Sequence, residues 1–176
     1  MKPFSIKPLN SFQIIVLGFA GVILAGALLL MLPVSSATHC VTPFLSALFT
    51  STTSVCVTGL IVVDTGTYWS VFGQAVILVL IQIGGMGVVT VAAAVTIVSG
   101  RKIGLMQRST MQEAVAAPKM SGIVRLTGFI IRATLLIELS GAALLAPVFC
   151  RDFGPIRGLW MAMFHSISAF CNAGID

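Results

Sequence analysis

The sequence contains few charged residues, and this scarcity limits the classes of protein to which it can belong. Charged side chains make up 9% of the 176 residues, whereas hydrophobic side chains make up 57%, and the mean hydropathy is +1.08. A soluble domain of this length could not bury so much apolar surface in one core, so lipid has to serve as part of its solvent. We therefore predict an integral membrane protein.

The sequence also lacks the motifs of enzymes and metal sites. Its four cysteines, Cys40, Cys56, Cys150 and Cys171, are too widely spaced for a zinc knuckle or a CxxC motif, and their pattern does not indicate whether Cys40 and Cys150 pair. His165 lies shortly before Cys171, but no general base or carboxylate is in register with them. We therefore expect no enzyme site, no structural metal and no covalently bound cofactor.

Nucleic-acid and nucleotide binding are equally poorly supported. The net charge is +5, but the basic residues cluster between apolar stretches with few aromatics among them, a pattern that sets membrane orientation instead. The glycine run QIGGMG at 82–87 lies inside an apolar stretch with no preceding strand, unlike a dinucleotide-binding loop. It predicts a kink or a close-packing face on a helix.

Long apolar stretches are the dominant feature that is present. About 20 apolar residues are needed to cross the hydrocarbon core as a helix, which predicts an all-α membrane fold. The predicted spans are residues 12–32, 69–98 and 123–148. The first is longer than the core of a signal peptide and has no clear cleavage site, so we interpret it as a retained helix.

Positive charges predict the orientation of these spans. Lys2 and Lys7 precede the first span, five Lys or Arg residues lie between Arg101 and Arg125, and none lies between residues 33 and 68. Cytoplasmic loops carry an excess of Lys and Arg. We expect the amino terminus and the 99–122 linker to be cytoplasmic, in a multi-pass protein of the plasma (inner) membrane.

A shorter apolar segment, PFLSALFTSTTS at 43–54, is too short to span the bilayer. Its flanking spans have to run in opposite directions to satisfy the charge pattern. The segment therefore has to return to the outer side from which it entered, which predicts a re-entrant helix.

Internal repetition supports this interpretation. A shift of 115 residues places Phe49 on Phe164 and Cys56 on Cys171. The same shift also places Gly26 on Gly141, Ala47 on Ala162, Ser51 on Ser166 and Gly59 on Gly174. We predict tandem helix–pore loop–helix repeats, one complete and a second partial, similar to potassium-channel units.

The predicted organisation has four parts. They are an amino terminus at 1–11, a first repeat at 12–98, a cytoplasmic linker at 99–122, and a second repeat at 123–176 that ends after its loop. The second re-entrant helix is predicted at 157–169. A pore helix without a closing helix leaves apolar surface and loop backbone without partners. We therefore expect this chain to be the amino-terminal part of a longer polypeptide.

The predicted loops contain the residues with the most specific chemistry. Irregular backbone at membrane depth is tolerated only where protein buries it or water reaches it, so two such segments predict a permeation route. Gly59 and Gly174 allow the backbone angles that turn consecutive carbonyls toward an ion. Glycine that merely packs helices closely is the alternative. The carboxyl ends of both re-entrant helices point toward the cavity and favour a cation.

Three runs carry a family resemblance: SVCVTGLIVVDTGTYWS at 54–70, QIGGMG at 82–87 and FHSISAFCNAGID at 164–176. They resemble the Trk/Ktr/HKT superfamily of potassium transporters, and most of all the membrane subunit of bacterial Ktr systems. The resemblance covers nearly the whole chain. It implies four tandem helix-loop-helix units around a pseudo-fourfold pore.

The resemblance also implies which residues form the ion filter. They are Cys56, Val57, Thr58 and Gly59 in the first loop, and Cys171, Asn172, Ala173 and Gly174 in the second. A serine at the first filter glycine accompanies sodium preference in plant relatives, so Gly59 favours potassium. A homodimer is implied, together with a cytosolic nucleotide-binding ring subunit, for which the basic linker is the available surface.

Two acidic residues leave alternatives open. Glu138 lies inside a predicted span, where an ionisable group is costly, and Arg132 lies on a different face of the same helix. Glu138 therefore pairs with a part of the protein beyond this chain or lies near a watery vestibule. Asp64 follows the first loop and either attracts cations to the outer mouth or is a solvated loop residue.

Together these features favour potassium uptake through a carbonyl-lined filter, passive or assisted by sodium. The main alternative is a secondary carrier for a small solute, whose discontinuous helices imitate pore loops. Such a carrier would show alternating access and would depend on polar side chains facing its cavity.

Overall fold

The computed structural model describes residues 10–87, 90–91, 93, 104–114 and 122–176. Its named elements are α1 (Ser11–Met31), a 3₁₀ turn (Pro33–Ser35), α2 (Phe44–Cys56), α3 (Thr65–Tyr68), α4 (Val71–Met86), α5 (Leu105–Ala114), α6 (Ile123–Phe153) and α7 (Pro155–Phe170). These ranges contain no β-strand, which confirms the prediction of an all-helical chain.

Helix α1 has the length that the apolar pattern predicts. The Gln13 side chain accepts a hydrogen bond from the Asn10 N–H at 3.0 Å where the helix begins. Its 21 residues extend about 30 Å, close to the thickness of the hydrocarbon core. The helix stops before Pro33 because a proline disfavours helical backbone in the residue before it, and Leu32 is extended with φ −61° and ψ 140°.

Helix α6 extends beyond its predicted end at residue 148. It contains Pro147 and continues to Phe153, so its 31 residues extend about 46 Å. A proline removes one helical hydrogen bond and need not end the helix. The helix ends at Gly154, whose φ of 81° turns the chain, and Pro155 at once begins α7.

Helix α4 is shorter than the predicted span at 69–98. It starts at Val71 because the Ser70 hydroxyl accepts the Gly73 N–H at 3.2 Å. It ends at Met86 because Gly87 adopts a φ of 81°. Residues 90, 91 and 93 are again helical, and the rest of the predicted span lies outside the described residues.

Two of the described helices, Phe12–Met31 and Val124–Phe153, are long and apolar enough to cross a membrane. Most of their side chains are exposed on the surface, including Leu28 and Leu144, which are 62% and 80% exposed. Apolar side chains in such numbers require a lipid or protein cover. Helices α2 and α4 are apolar but shorter.

The main core lies among α1, α2, α4 and α7. Its largest buried members are Leu30, Val55, Trp69, Ile77, Ile81 and Phe164. The segment after α7 contributes Ala173 and Ile175 and is therefore part of the core. Helix α5, in the predicted linker, buries Met111 against Ile15 and Val124.

Candidate functional site

The first loop begins where α2 ends, and its backbone leaves the helix abruptly. Cys56 is the last helical residue, and Val57 is left-handed, with φ 54° and ψ 44°. The Thr58 N–H donates to the Thr53 carbonyl at 3.0 Å, and Gly59 again has a positive φ, 74°. The irregular backbone thus starts one residue later than the first predicted filter residue.

The second loop repeats this conformation at the end of α7. Cys171 is still close to helical, with φ −73° and ψ −4°, and Asn172 is left-handed with φ 59°. The Ala173 N–H donates to the Ser168 carbonyl at 2.8 Å, and Gly174 has φ 63°. Both left-handed positions and this backbone hydrogen bond recur 115 residues after those of the first loop.

A side-chain hydroxyl group accepts a hydrogen bond from the residue that follows the glycine of each loop. Thr53 Oγ1 accepts the N–H of Leu60 at 2.9 Å, and Ser168 Oγ accepts the N–H of Ile175 at 3.1 Å. The remaining bonds differ, because Thr53 shares a hydrogen bond of 2.7 Å with Thr58 Oγ1, whereas Ser168 donates to the Ile175 carbonyl at 2.5 Å. Each helix therefore uses one hydroxyl in its last turn, three residues before the end of α2 and two before the end of α7, to fix the loop that follows.

The two loops meet at their glycines. A Cβ atom on Gly59 would lie 2.8 Å from the Ala173 carbonyl oxygen and 3.7 Å from the Cα of Gly174. A Cβ atom on Gly174 would lie 3.8 Å from the Cα of Gly59. Because Gly59 also has a positive φ, a larger residue there would meet both steric crowding and backbone strain.

A second pair of hydroxyls anchors α2 and α7 to the preceding long helices. Ser51 Oγ donates to the Ile23 carbonyl at 2.7 Å, and Ser166 Oγ donates to the Glu138 carbonyl at 2.6 Å. These bonds are also 115 residues apart. The serine oxygens lie against Gly26 and Gly141, the glycine pair that the internal shift aligns.

Helix α4 packs against the bases of both loops. A Cβ atom on Gly84 would collide with the Val55 carbonyl, and one on Gly85 would lie 2.5 Å from Cys171 Sγ. The close-packing face predicted for the QIGGMG run is therefore confirmed. It faces Val55 and Cys171 at the bases of the two loops, contacts that the sequence did not reveal.

The groups at the loops that could bind a cation are mainly the oxygen atoms of peptide carbonyls and hydroxyls. Helices α2 and α7 end there, and the carboxyl end of a helix carries partial negative charge. In the described part of the chain, no three His, Cys, Asp or Glu side chains are grouped closely enough to hold a metal ion. A cation at the loops would meet peptide carbonyls and hydroxyls.

Sequence comparison identifies the family that carries this arrangement. Residues 5–176 match the TrkH family, which is described as a cation transport protein. The chain belongs to the TrkH family. Membership of this family supports a location in the membrane, as the apolar spans predict.

This TrkH-family chain is similar in sequence to three bacterial uptake proteins. It is 39% identical to the potassium/sodium uptake protein NtpJ of Enterococcus hirae, over 100% of this chain and 39% of the relative. It is 43% identical to the Ktr system potassium uptake protein B of Bacillus subtilis, over 93% of this chain and 36% of the relative. It is 32% identical to the Ktr system potassium uptake protein D of the same organism, over 97% and 38%.

The TrkH-family chain thus spans about two fifths of the length of these relatives. All three names describe uptake proteins, in agreement with the prediction of a transporter and not an enzyme. The predicted resemblance to the Trk/Ktr superfamily is confirmed.

In this TrkH-family chain, Glu138 has a partner that sequence reasoning missed. Gln82 Nε2 on α4 donates to both carboxylate oxygens of Glu138, at 2.9 and 3.1 Å. The expectation that the partner lies beyond this chain is therefore wrong. A usable signal existed, because Gln82 is an isolated polar residue within an apolar stretch, and such residues in membrane helices commonly bond across helices.

Asp64 occupies a local structural position. It precedes α3 and accepts the Thr67 N–H at 2.7 Å and the Thr67 hydroxyl at 2.6 Å. The Thr67 hydroxyl, followed by its backbone N–H, holds the pKa of Asp64 below the ordinary value of 3.8. Asp64 is therefore a helix cap that keeps its negative charge at neutral pH.

The cysteines and His165 show no nucleophile–base pair. All four cysteines are free thiols, so Cys40 and Cys150 do not pair. His165 Nδ1 bonds to the Met161 carbonyl at 2.8 Å, and its ring stacks on Phe149 with centroids 4.8 Å apart. The imidazole is held within the α6–α7 packing.

A cavity of about 1010 Å³ lies beside the start of α4 and along α7. Trp160, which lines it, donates its indole N–H to Gln74 Oε1 at 2.8 Å. The Gln74 amide in turn donates to the Trp69 carbonyl at 3.1 Å. This chain of bonds links α7 to the start of α4.

Proposed function

We propose that this chain belongs to the pore-forming subunit of a Trk/Ktr-type potassium uptake system. Ions would pass through a filter lined by backbone carbonyls of residues 56–59 and 171–174. The observation that carries the proposal is the matched conformation of the two loops, whose left-handed residues recur at equivalent positions and whose glycines lie in contact.

The matched loops support a conduction role for a physical reason. Left-handed residues that alternate with other conformations turn successive carbonyls toward one side, whereas a helix directs them all along its axis. A row of carbonyls facing one side can replace the water around a dehydrated cation. The helix ends at the same place add partial negative charge.

The proposed architecture is a pair of helix–pore loop–helix units. Residues 12–98 form the first unit, 99–122 the linker and 123–176 the second unit through its loop. The hydrogen bonds of Ser51 and Ser166 support this division, because each ties a pore helix to the preceding long helix at the equivalent position. The chain would thus supply one complete unit and part of a second to a pseudo-fourfold ring.

Potassium is the proposed substrate, with sodium as an ion that uptake could also involve. The names of the relatives include potassium in each case and sodium in one. Glycine at position 59 supports potassium, because a side chain there would push against the Ala173 carbonyl and change the size of the opening.

The proposed setting is the inner membrane, with the amino terminus and the linker in the cytoplasm. The Lys and Arg distribution supports this orientation. We further propose a homodimer that works with a cytosolic nucleotide-binding ring subunit, since two relatives are named as proteins of Ktr systems. The described part of the linker offers an exposed Arg108 on α5.

The test is the substitution Gly59→Ser in the protein expressed from its complete gene in a bacterium that lacks potassium uptake. We expect poor growth on low potassium and a lower ratio of potassium to sodium uptake. Gly21→Ser is the matched control, because a Cβ on Gly21 would have no atom within 4 Å. Unchanged growth and unchanged selectivity for Gly59→Ser, at normal protein amounts in the membrane, would overturn the proposal.

A further inference from the structure

Glu138 is a nearly fully buried acidic group that the proposed conduction path does not use. It is 4% exposed and sits inside a helix long and apolar enough to span the bilayer. An intramembrane carboxyl group is costly unless it is paired and hydrogen-bonded. Its presence therefore needs a structural or functional reason.

The equivalent position of the first unit has no such group. Ile23 precedes Glu138 by the 115-residue interval, and both residues use their backbone carbonyls to accept a serine hydroxyl. In the first unit an apolar residue, Ile23, is thus sufficient to accept the serine hydroxyl through its backbone. The carboxylate side chain must serve something that only the second unit has.

The side chain points to a helix of the other unit. Gln82 on α4 donates to both Glu138 oxygens, and Gln82 Oε1 has no hydrogen-bond partner among the described residues. Gly85 lies three residues further along α4, on the same face, and contacts Cys171 at the base of the second loop.

These contacts join three helices, α4, α6 and α7, next to the second loop. Glu138 accepts the Ser166 hydroxyl through its backbone and the Gln82 amide through its side chain, so α6, α7 and α4 meet at one residue. Gly84, next to Gly85, contacts the Val55 carbonyl at the base of the first loop. One stretch of α4 therefore touches both loops, and Gln82 fixes its position relative to the second unit.

We propose that Gln82 and Glu138 are a pair of positioning residues that sets the spacing of the two filter loops. The pair acts through the α4 glycines and takes no part in binding the ion. This inference rests on the proposed filter function. Loss of the pair changes how well potassium is distinguished from sodium, because the fit of carbonyls around an ion depends on loop spacing.

The experiment measures uptake of a rubidium tracer as a function of potassium and sodium concentrations, in cells expressing the complete protein and with membrane protein quantified. Glu138→Asp keeps the charge but withdraws the carboxylate by one methylene. We expect about a fivefold loss of potassium-over-sodium selectivity, the size of a coupling between side chains in contact. Ile137→Val, which removes one methylene from the neighbouring, half-exposed side chain, is the matched control and should match the wild type.

An exchange of the two side chains separates positioning from mere stability. Gln82→Glu alone places two carboxyl groups face to face and should impair selectivity and raise the KM for potassium. Adding Glu138→Gln restores an amide opposite a carboxylate and should recover both values. Failure of the double variant to improve on Gln82→Glu, or a wild-type KM and selectivity for Glu138→Asp, would overturn the inference.

Gly59→Ser, measured in parallel, distinguishes this inference from the function on which it rests. If Gly59→Ser alters selectivity while Glu138→Asp does not, the filter stands and the positioning pair is rejected. If Gly59→Ser changes nothing, the filter proposal fails and the inference fails with it.

Discussion

The two loops share a backbone conformation but are held by different side chains, and the difference shows which part of the design is fixed. Left-handed residues lie at Val57 and Gly59 in one loop and at Asn172 and Gly174 in the other. Yet the second loop has no counterpart to the threonine hydroxyl of Thr58. The left-handed backbone conformation is thus the common feature, and the supporting hydrogen bonds differ between the loops.

The largest effect expected within this comparison comes from Ser168→Ala. The serine hydroxyl both donates to the Ile175 carbonyl and accepts its N–H, and Ile175 is 2% exposed. Two buried backbone groups would lose their partner, at a cost of about 2 to 4 kcal/mol. A clearly lower melting temperature of the purified complete protein in detergent is the expected result.

Thr53→Val makes the same change in the first loop without altering side-chain shape. It leaves the Leu60 N–H without its acceptor, but Leu60 is 60% exposed, so water can replace the hydroxyl. We expect a smaller drop in melting temperature than for Ser168→Ala. Equal drops for the two variants would show that the loops depend on their hydroxyl ties to the same extent.

The next effects concern Gly26 and Gly141, the two glycines that lie against Ser51 and Ser166. In Gly26→Ala the new methyl would lie 2.5 Å from Ser51 Oγ and within 2.8 Å of both Leu80 methyls, which predicts overpacking of about 1 to 3 kcal/mol. In Gly141→Ala the crowding involves only Ser166, so adding Ser166→Ala should recover most of the loss. Thermal unfolding of the single and double variants measures both effects.

A smaller effect is expected from Thr58→Ala, which gives the first loop the residue type of Ala173. Thr58 is exposed, and Thr53 keeps its bond to Leu60. Losing the Thr53–Thr58 bond should cost about 0.5 to 1.5 kcal/mol. Selectivity close to the wild type would support the view that backbone direction, and not this hydroxyl, defines the filter.

The smallest effect on stability is expected from Asp64→Ala. This substitution removes two exposed hydrogen bonds to Thr67 and serves as a reference for the buried hydrogen bonds. The pKa of Asp64 is lowered in the folded protein, so its contribution to stability is complete above 3.8 and is lost as the pH falls through the folded value. The melting temperatures of wild type and variant should therefore differ by a small, constant amount near neutral pH. The difference should shrink only at pH values below 3.8.

The sequence indicates where the backbone leaves α2 and α7, because glycine, hydroxyl residues and the 115-residue interval are local signals. It predicted the helix ends less well. The span predicted at 123–148 is too short, because the helix continues past Pro147 and ends only at Gly154. The span predicted at 69–98 continues past Gly87, whereas α4 ends there because Gly87 has a positive φ. Glycine permits this conformation but does not require it, so the sequence alone does not reveal the end of the helix.

Contacts between the units were the least predictable part of the site. Helical periodicity relates Glu138 only to residues of its own helix, such as Arg132, whereas its partner Gln82 lies 56 residues away along the chain. Such a contact depends on how helices are arranged in space, and periodicity within one helix carries no information about that. The glycines at 84 and 85 likewise indicated close packing without indicating what would pack against them.

The junction at Gly154 gives the second unit a mechanical property that the first unit lacks. One residue joins α6 to α7, and a Cβ atom on Gly158 would lie 2.5 Å from the backbone of Cys150, so the two helices are locked side by side. Between α1 and α2 the chain instead runs through twelve residues, from Leu32 to Pro43. A tilt of α6 would therefore carry α7 and the second loop with it. The longer connection between α1 and α2 is instead tied to the end of α3, where the Ala37 N–H donates to the Tyr68 carbonyl at 2.9 Å.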